Sequence, residues 1–152
     1  MSTPETRSAF PLPDVDEPLT GGFWQAAARG ELAVPRCSGC GLHCWYPRPR
    51  CPGCDGADLP WTALSGAATL FSWAVVHHPF LPAYRDDLPF VAGLVTPDDA
   101  PGVRIATRIV GADPADLRVG QPVEVVFGAL RHPDLGAEVR APFFRPRTGG
   151  AR

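Results

Sequence analysis

Apolar and polar positions alternate through the second half of the chain, and this two-residue period predicts β-strands. One helical turn is predicted between the third and fourth strands, where Asp113 precedes Pro114 and Asp116 occupies the capping-box position. Short antiparallel strands with a helical turn at this place predict a mainly β fold with a small, partly open five-stranded OB-fold barrel. A β-sandwich with one further strand is the alternative. The predicted strands span residues 68–77, 90–96, 103–110, 123–130 and 138–144.

A short N-terminal helix is predicted in the run that follows Thr20. Alanines favour helix in its middle, and Gly30 supplies the left-handed residue that commonly ends one. A helix of about two turns is unstable alone, so the rings of Phe23 and Trp24 must be buried against something. Because neighbouring helical residues point about 100° apart, we expect one ring to face inward and the other to face a partner or an acyl chain.

Four of the five cysteines form two pairs, Cys37 with Cys40 and Cys51 with Cys54, each pair spaced by two residues. This spacing lets one tight turn present both sulfurs to the same ion, and two such turns complete a tetrahedral shell. Four sulfur ligands leave no position for water or substrate, so the pattern predicts a structural Zn²⁺ in a rubredoxin-like zinc ribbon. Iron has the same ligand set and would instead indicate electron transfer.

The fifth cysteine, Cys44, lies outside both pairs. We expect it to be a buried thiol rather than an accessible nucleophile, because burial is the commoner state of a free cysteine. His43 is excluded as a ligand because four sulfurs already complete the shell.

Composition divides the chain into segments of different character. The first 18 residues combine prolines with acidic residues, which favours a flexible arm. The cysteine unit is too small for an apolar core of its own. The predicted segments are a flexible arm (1–18), a helical segment (19–31), the zinc ribbon (32–63), the OB-fold barrel (64–147) and a flexible tail (148–152).

The overall composition excludes several classes of protein function. A chain of 152 residues suits one domain with a small appendage, and 19 prolines and 16 glycines disfavour long helices. All 14 basic residues are arginine, which excludes Schiff-base and P-loop lysine chemistry. The net charge of −2 gives no general attraction to nucleic acid. The chain shows neither an apolar run of membrane-spanning length nor a signal-peptide pattern, so we expect a cytoplasmic protein with no membrane association and no disulfides.

The sequence carries no recognisable catalytic motif. His77 and His78 end the first predicted barrel strand, and one of them beside Asp86 or Asp87 could act as a general base. The simpler interpretation, a strand-end histidine next to a loop, is favoured. With no nucleophile elbow, phosphate loop or dinucleotide fingerprint, the sequence predicts no active site.

Two other features are candidate contacts for a ligand or a partner. The loop 79–89 displays Phe80 and Tyr84 between prolines, and it serves either as a binding edge or as a cap on the barrel core. Arg104 and Arg108 share one face of the third predicted strand, where they either contact CoA phosphates or partner carboxylates, or are simply solvated.

Several motifs follow one another in an order that is more specific than the cysteine pairs alone. They are Phe23-Trp24, Leu32, Cys37-Ser-Gly-Cys40-Gly41, Pro47-Arg-Pro-Arg50-Cys51-Pro-Gly-Cys54, Trp61, Ser65-Gly66, Phe90-Val-Ala-Gly-Leu-Val, Leu117-Arg-Val-Gly120-Gln-Pro-Val-Glu-Val and Phe143-Phe144-Arg145-Pro146. This order resembles the DUF35 family over residues 20–147. The proline-rich arm and the arginine-rich C-terminus lie outside the resemblance.

The resemblance implies a helical segment, a rubredoxin-like zinc ribbon and an OB-fold barrel. It also implies a small noncatalytic scaffold or CoA-binding module that assists a thiolase-like enzyme on acyl-CoA substrates. In some relatives the enzyme is a thiolase-type aldolase that shortens steroid side chains, and in others it is an acetoacetyl-CoA thiolase complex.

This implied role agrees with the closed four-sulfur site and the missing catalytic set. A nucleic-acid-binding ribbon and barrel is the alternative, although the acidic net charge disfavours it. A rubredoxin-like iron electron carrier is the third possibility.

Overall fold

The structure is a computed structural model that describes residues 12–130 and 138–149. Within these residues, one helix precedes seven strands, and two short 3₁₀ turns lie between strands. The helix α1 spans Gly21–Ala28, and the 3₁₀ turns span Pro82–Asp87 and Pro114–Asp116. The strands are β1 (Leu32–Pro35), β2 (Trp61–Leu64), β3 (Ala67–Val76), β4 (Phe90–Pro97), β5 (Ile105–Ile109), β6 (Pro122–Leu130) and β7 (Val139–Pro146).

The last five strands close into a barrel in the order β3-β4-β5-β7-β6. The predicted mainly β fold, with five barrel strands and a turn that Asp113 caps, is therefore confirmed. The expectation of a partly open, fully antiparallel barrel is wrong, because the ring is closed and β5 pairs with β7 in parallel at Ile109 and Phe144. A closed ring with an odd number of strands cannot alternate direction throughout, so at least one pair must be parallel.

The barrel core is apolar and continues beneath the ribbon. Leu70, Val95 and Phe144 are fully enclosed, as the alternation along their strands requires. Phe23 of α1 and Val34 of β1 belong to the same cluster of buried side chains. The helix and the first ribbon strand are therefore held by the barrel rather than by a core of their own.

The helix α1 agrees with its prediction. Gly30 has φ +75°, and its N–H donates to the carbonyl of Ala27, so the chain turns out of the helix there. The helix packs against β1 and β7. A Cβ at Gly22 would lie 2.2 Å from the indole nitrogen of Trp61, so only glycine allows the helix to approach this ring. In the described chain, no helix has the length and apolar character needed to cross a membrane.

The paired strands β1 and β2 are absent from the sequence-based prediction. They form an antiparallel pair that runs from Leu32 opposite Leu64 to Pro35 opposite Trp61. All four residues of β1 are buried, so its apolar and polar positions do not alternate. Pro35 also disfavours a strand in the sequence, because proline cannot donate a backbone hydrogen bond. The pair closes the neck of the ribbon, on either side of the cysteine segment.

The predicted arm and tail lie partly outside the described residues. Within the arm, Glu17 accepts hydrogen bonds from the backbone N–H groups of Leu19 and Thr20 and from the Thr20 hydroxyl. The N–H of Gly21 in turn donates to the carbonyl of Glu17. These bonds attach the end of the arm to the start of α1, and the flexibility of the arm and tail stays a prediction.

A single carboxylate fixes the junction between ribbon and barrel. Asp99, in the turn after β4, accepts hydrogen bonds from the Ser65 backbone N–H at 2.7 Å and from the Ser65 hydroxyl at 2.6 Å. Ser65 is the link between β2 and β3. The Ser65 hydroxyl, followed by its N–H, holds the pKa of Asp99 below its usual value.

The substitution Asp99→Asn should lower the free energy of unfolding by about 1 kcal/mol at pH 7, because it removes charge-assisted hydrogen bonds at an exposed site. Because the pKa of Asp99 is lower in the folded state than in the unfolded state, the ionised carboxylate stabilises the fold at pH values above its unfolded pKa of about 4. This stabilisation is lost as the pH falls through the folded pKa. Thermal melts of both proteins at several pH values should therefore converge in acid. Asp98→Asn is the neighbouring control, and a wild-type advantage that persists in strong acid would contradict this account.

Candidate functional site

The two cysteine pairs meet at the tip of the ribbon. Cys37 and Cys54 have sulfurs 3.5 Å apart, as do Cys40 and Cys51. All four sulfurs lie within 4.8 Å of one another. Zn–S bonds of about 2.3 Å in a tetrahedron place sulfurs about 3.8 Å apart, so the cluster has the size that this ion requires.

Small residues and backbone N–H groups surround these sulfurs. A Cβ at Gly56 would lie 3.3 Å from the Cys54 sulfur and 3.4 Å from that of Cys37. Burial opposes ionisation of Cys51, but the N–H groups of Gly53 and Cys54 lower the pKa of its thiol to about 6. The N–H of Cys40 likewise lowers the pKa of Cys37. The N–H of Gly56 favours ionisation of Cys54, but hydrogen bonds with the sulfurs of Cys37 and Cys40 raise the pKa of its thiol to about 12. The surroundings thus favour the thiolate, which is the form that binds a metal, at Cys37 and Cys51.

Cys44 is separate from this cluster, as predicted. Its side chain is buried, its thiol contacts the carbonyl of Leu42 at 3.5 Å, and burial raises its pKa to about 11. A thiol of this kind is a poor nucleophile. His43 also lies outside the four-sulfur group, and burial lowers its pKa.

The ribbon reaches the helix through Trp45, which the sequence-based reasoning did not single out. The centre of its ring lies 5.0 Å from that of Phe23, and the ring of Phe23 also meets Trp24 edge to face at 5.1 Å. Trp45 Nε1 is buried and has no hydrogen-bond partner among the described residues. A large aromatic side chain in a unit that lacks its own core is the signal that could have indicated this contact.

A groove of about 270 Å³ lies beside these rings, where α1 and the 82–87 turn meet β5, β7 and the ends of β4 and β6. We call it the aromatic groove. It brings together four of the predicted contact residues. The lining residues are Phe23, Trp24, Tyr84, Phe90, Ala106, Thr107, Arg108, Leu130, Ala141, Pro142 and Phe143.

Arg108 has two neighbours at this groove. Its guanidinium lies 4.2 Å from the ring centre of Phe90 and 3.3 Å from a carboxylate oxygen of Asp87. The Thr107 hydroxyl donates to the carbonyl of Pro142 at 3.2 Å and so bridges β5 and β7. The groove therefore combines an apolar wall with one positive charge.

The remaining predicted residues lie elsewhere. Arg104 lies just before β5 and stacks on Phe71, with its guanidinium 4.4 Å from the ring centre. The prediction that Arg104 and Arg108 share one strand face is therefore wrong, because the strand begins one residue after Arg104. Phe80 is 86% exposed and meets the ring of His78 edge to face. Asp87, one candidate partner for a histidine base, is paired with Arg108 instead. The contact roles of the six predicted residues stay predictions.

Family models match most of the described chain. Residues 24–60 match the rubredoxin-like zinc ribbon domain of ChsH2, and residues 61–128 match the C-terminal OB-fold domain of ChsH2. The two matched domains follow one another along the chain, with the zinc ribbon first and the OB-fold second. This chain belongs to the DUF35 family.

Three curated relatives and one solved structure resemble this DUF35 chain. A probable enoyl-CoA hydratase alpha subunit of Thermomonospora curvata is 33% identical over 82% of this chain and 36% of its own length. A 3-oxo-4,17-pregnadiene-20-carboxyl-CoA hydratase alpha subunit of Mycobacterium tuberculosis is 32% identical over 71% of this chain and 33% of its own length. The chain thus spans about a third of each hydratase subunit.

The other two matches are close to this chain in length. A DUF35 domain-containing scaffold protein of Methanothermobacter thermautotrophicus is 29% identical over 79% of this chain and 90% of its own length. A chain of the structure described as Ltp2-ChsH2(DUF35) aldolase is 28% identical and superimposes with a TM-score of 0.73 over 88% of this chain and 98% of that one.

The ribbon of this DUF35 chain is a zinc site. The sulfur geometry and the match to a zinc ribbon domain agree on a structural Zn²⁺ held by four cysteines. Because all four ligands come from the protein, the ion orders the ribbon and has no open position for a substrate.

Purified protein should contain one zinc ion per chain, as measured by elemental mass spectrometry. Cys51→Ser should lose the metal, since three sulfurs leave the shell incomplete. Cys44→Ser is the matched control and should keep it. Stoichiometric iron in the wild type, or equal metal loss from both variants, would overturn this assignment.

Proposed function

We propose that this protein is a noncatalytic subunit that binds and supports a thiolase-like enzyme acting on acyl-CoA substrates. The observation that carries the proposal is the superposition, over almost the whole of both chains, on the DUF35 chain of an aldolase structure. The scaffold name of the methanogen relative supports a noncatalytic role. The hydratase subunits named for CoA substrates support the acyl-CoA association.

The described chemistry also supports a noncatalytic role. The zinc shell is closed, and the Ser65 hydroxyl donates to the Asp99 carboxylate rather than to a histidine. His77 and His78 are exposed at a strand end. The enzyme partner therefore supplies the reacting groups, and this chain supplies a surface.

A steroid acyl group is the finer substrate proposal. The Mycobacterium tuberculosis relative is named for a pregnadiene-carboxyl-CoA, which is a steroid thioester. The nucleic-acid alternative is weaker, because the aromatic groove has a single guanidinium among its described lining residues. Single-strand binders instead combine stacking rings with a cationic track.

We place the partner contact at Phe80 and the adjoining 82–87 turn. A phenylalanine that is 86% exposed contributes little to the fold, whereas aromatic anchors commonly dominate interfaces. Phe23 is in a different position, because it is 8% exposed and belongs to the core.

Affinity-tagged protein should capture a thiolase-like enzyme from its native lysate, and mass spectrometry identifies the captured enzyme. The affinity between the two proteins is then measured on the complex reconstituted from purified components. Phe80→Ala should weaken the affinity about tenfold and leave the melting temperature unchanged. Phe23→Ala should lower stability by about 3–5 kcal/mol, since it removes a buried ring.

Acyl-CoA turnover by the isolated chain would contradict the noncatalytic role. Capture of enzymes from another superfamily would contradict the thiolase assignment. Undiminished affinity of Phe80→Ala for the captured enzyme would move the contact away from this loop.

A further inference from the structure

The aromatic groove has the form of a small-molecule site. It is concave, it holds about 270 Å³, and its walls come from six separate elements of the fold. Five of its lining residues are aromatic: Phe23, Trp24, Tyr84, Phe90 and Phe143. Pockets with mostly apolar walls and a few directed polar groups are typical of sites for small organic ligands.

Arg108 gives this groove its charge preference. It is the single ionisable cation among the described lining residues, and its side chain is 26% exposed. Stacking on Phe90 fixes the plane of the guanidinium, and a planar fork suits a carboxylate. The groove thus offers one directed positive charge beside an apolar wall.

The counter-ion of Arg108 is suited to displacement. Asp87 lies at the end of the 82–87 turn, its side chain is 43% exposed, and it meets Arg108 at 3.3 Å. An ion pair as exposed as this contributes little to stability. A ligand carboxylate that also places an apolar group in the groove gains burial that Asp87 does not provide.

The number of charges decides the class of ligand. One guanidinium balances one carboxylate, whereas the nucleotide end of CoA carries several phosphate charges. The Thr107 hydroxyl already donates to the carbonyl of Pro142, so it is not a further donor for a phosphate. The groove therefore suits a monoanion better than a nucleotide.

We propose that the aromatic groove binds an apolar monocarboxylate, with the apolar body among the rings and the carboxylate on Arg108 in place of Asp87. This inference goes beyond the proposed function, because binding of a free acid needs neither an enzyme partner nor a CoA thioester. The hydrolysis of an acyl thioester releases acids of this class.

Isothermal titration calorimetry of the zinc-loaded, full-length chain tests the proposal with 2-naphthoate and its neutral analogue 2-naphthamide. Both probes have the same apolar body, and they differ in charge. Naphthoate should bind saturably and about tenfold more tightly than the amide, a ratio that corresponds to one charge-assisted contact.

Variants of the ion pair give effects of opposite sign. Arg108→Gln should remove the preference for naphthoate, whereas Asp87→Asn should tighten naphthoate binding about threefold by removing the competing carboxylate. A gain in affinity cannot result from misfolding, so the second variant keeps the test decisive. Arg104→Gln is the control, because this arginine stacks on Phe71 outside the groove.

Equal binding of naphthoate and naphthamide, or an unchanged preference in Arg108→Gln, would overturn the proposal. So would weaker naphthoate binding by Asp87→Asn, or competition by CoA without its acyl group that disappears in Arg108→Gln. Binding that survives these tests while no enzyme partner is captured would reject the proposed function alone.

Discussion

The bond between four thiolates and one metal ion is the constraint on which the ribbon and its contact with the helix α1 depend. The buried cluster at the ribbon tip consists of three cysteines with Leu59 packed against them, which is far too little apolar surface to order the segment. The metal therefore replaces a hydrophobic core. Once ordered, the ribbon places Trp45 against Phe23, so the metal also supports one wall of the aromatic groove.

The barrel strands supply the remaining walls of the groove, and their number determines how they pair. Five strands in a closed ring force one parallel pair, and β5 and β7 meet there at the single position of Ile109 and Phe144. The Thr107 hydroxyl, two residues before this position, donates to the carbonyl of Pro142 in β7, and α1 packs on β7.

Local patterns in the sequence predict the local parts of this structure. The cysteine spacing, the alanine run that ends at Gly30 and the alternation in the strands each depend on neighbouring residues. The parallel pair was missed because alternation indicates which face of a strand is buried and does not indicate its neighbour. The groove was missed because its residues come from distant segments. Arg104 and Arg108 are predicted to share a strand face, yet Arg104 precedes β5 and the two guanidinium groups stack on different rings.

Hydrogen exchange of the zinc-loaded and chelated protein tests most directly whether the metal orders the ribbon and, through it, the helix. We expect that removing zinc abolishes protection in residues 37–54 and weakens it in α1. The barrel strands from β3 to β6 should keep their protection, because their core is independent of the ribbon tip. Unchanged protection in α1, or a uniform loss across ribbon and barrel, would contradict this expectation.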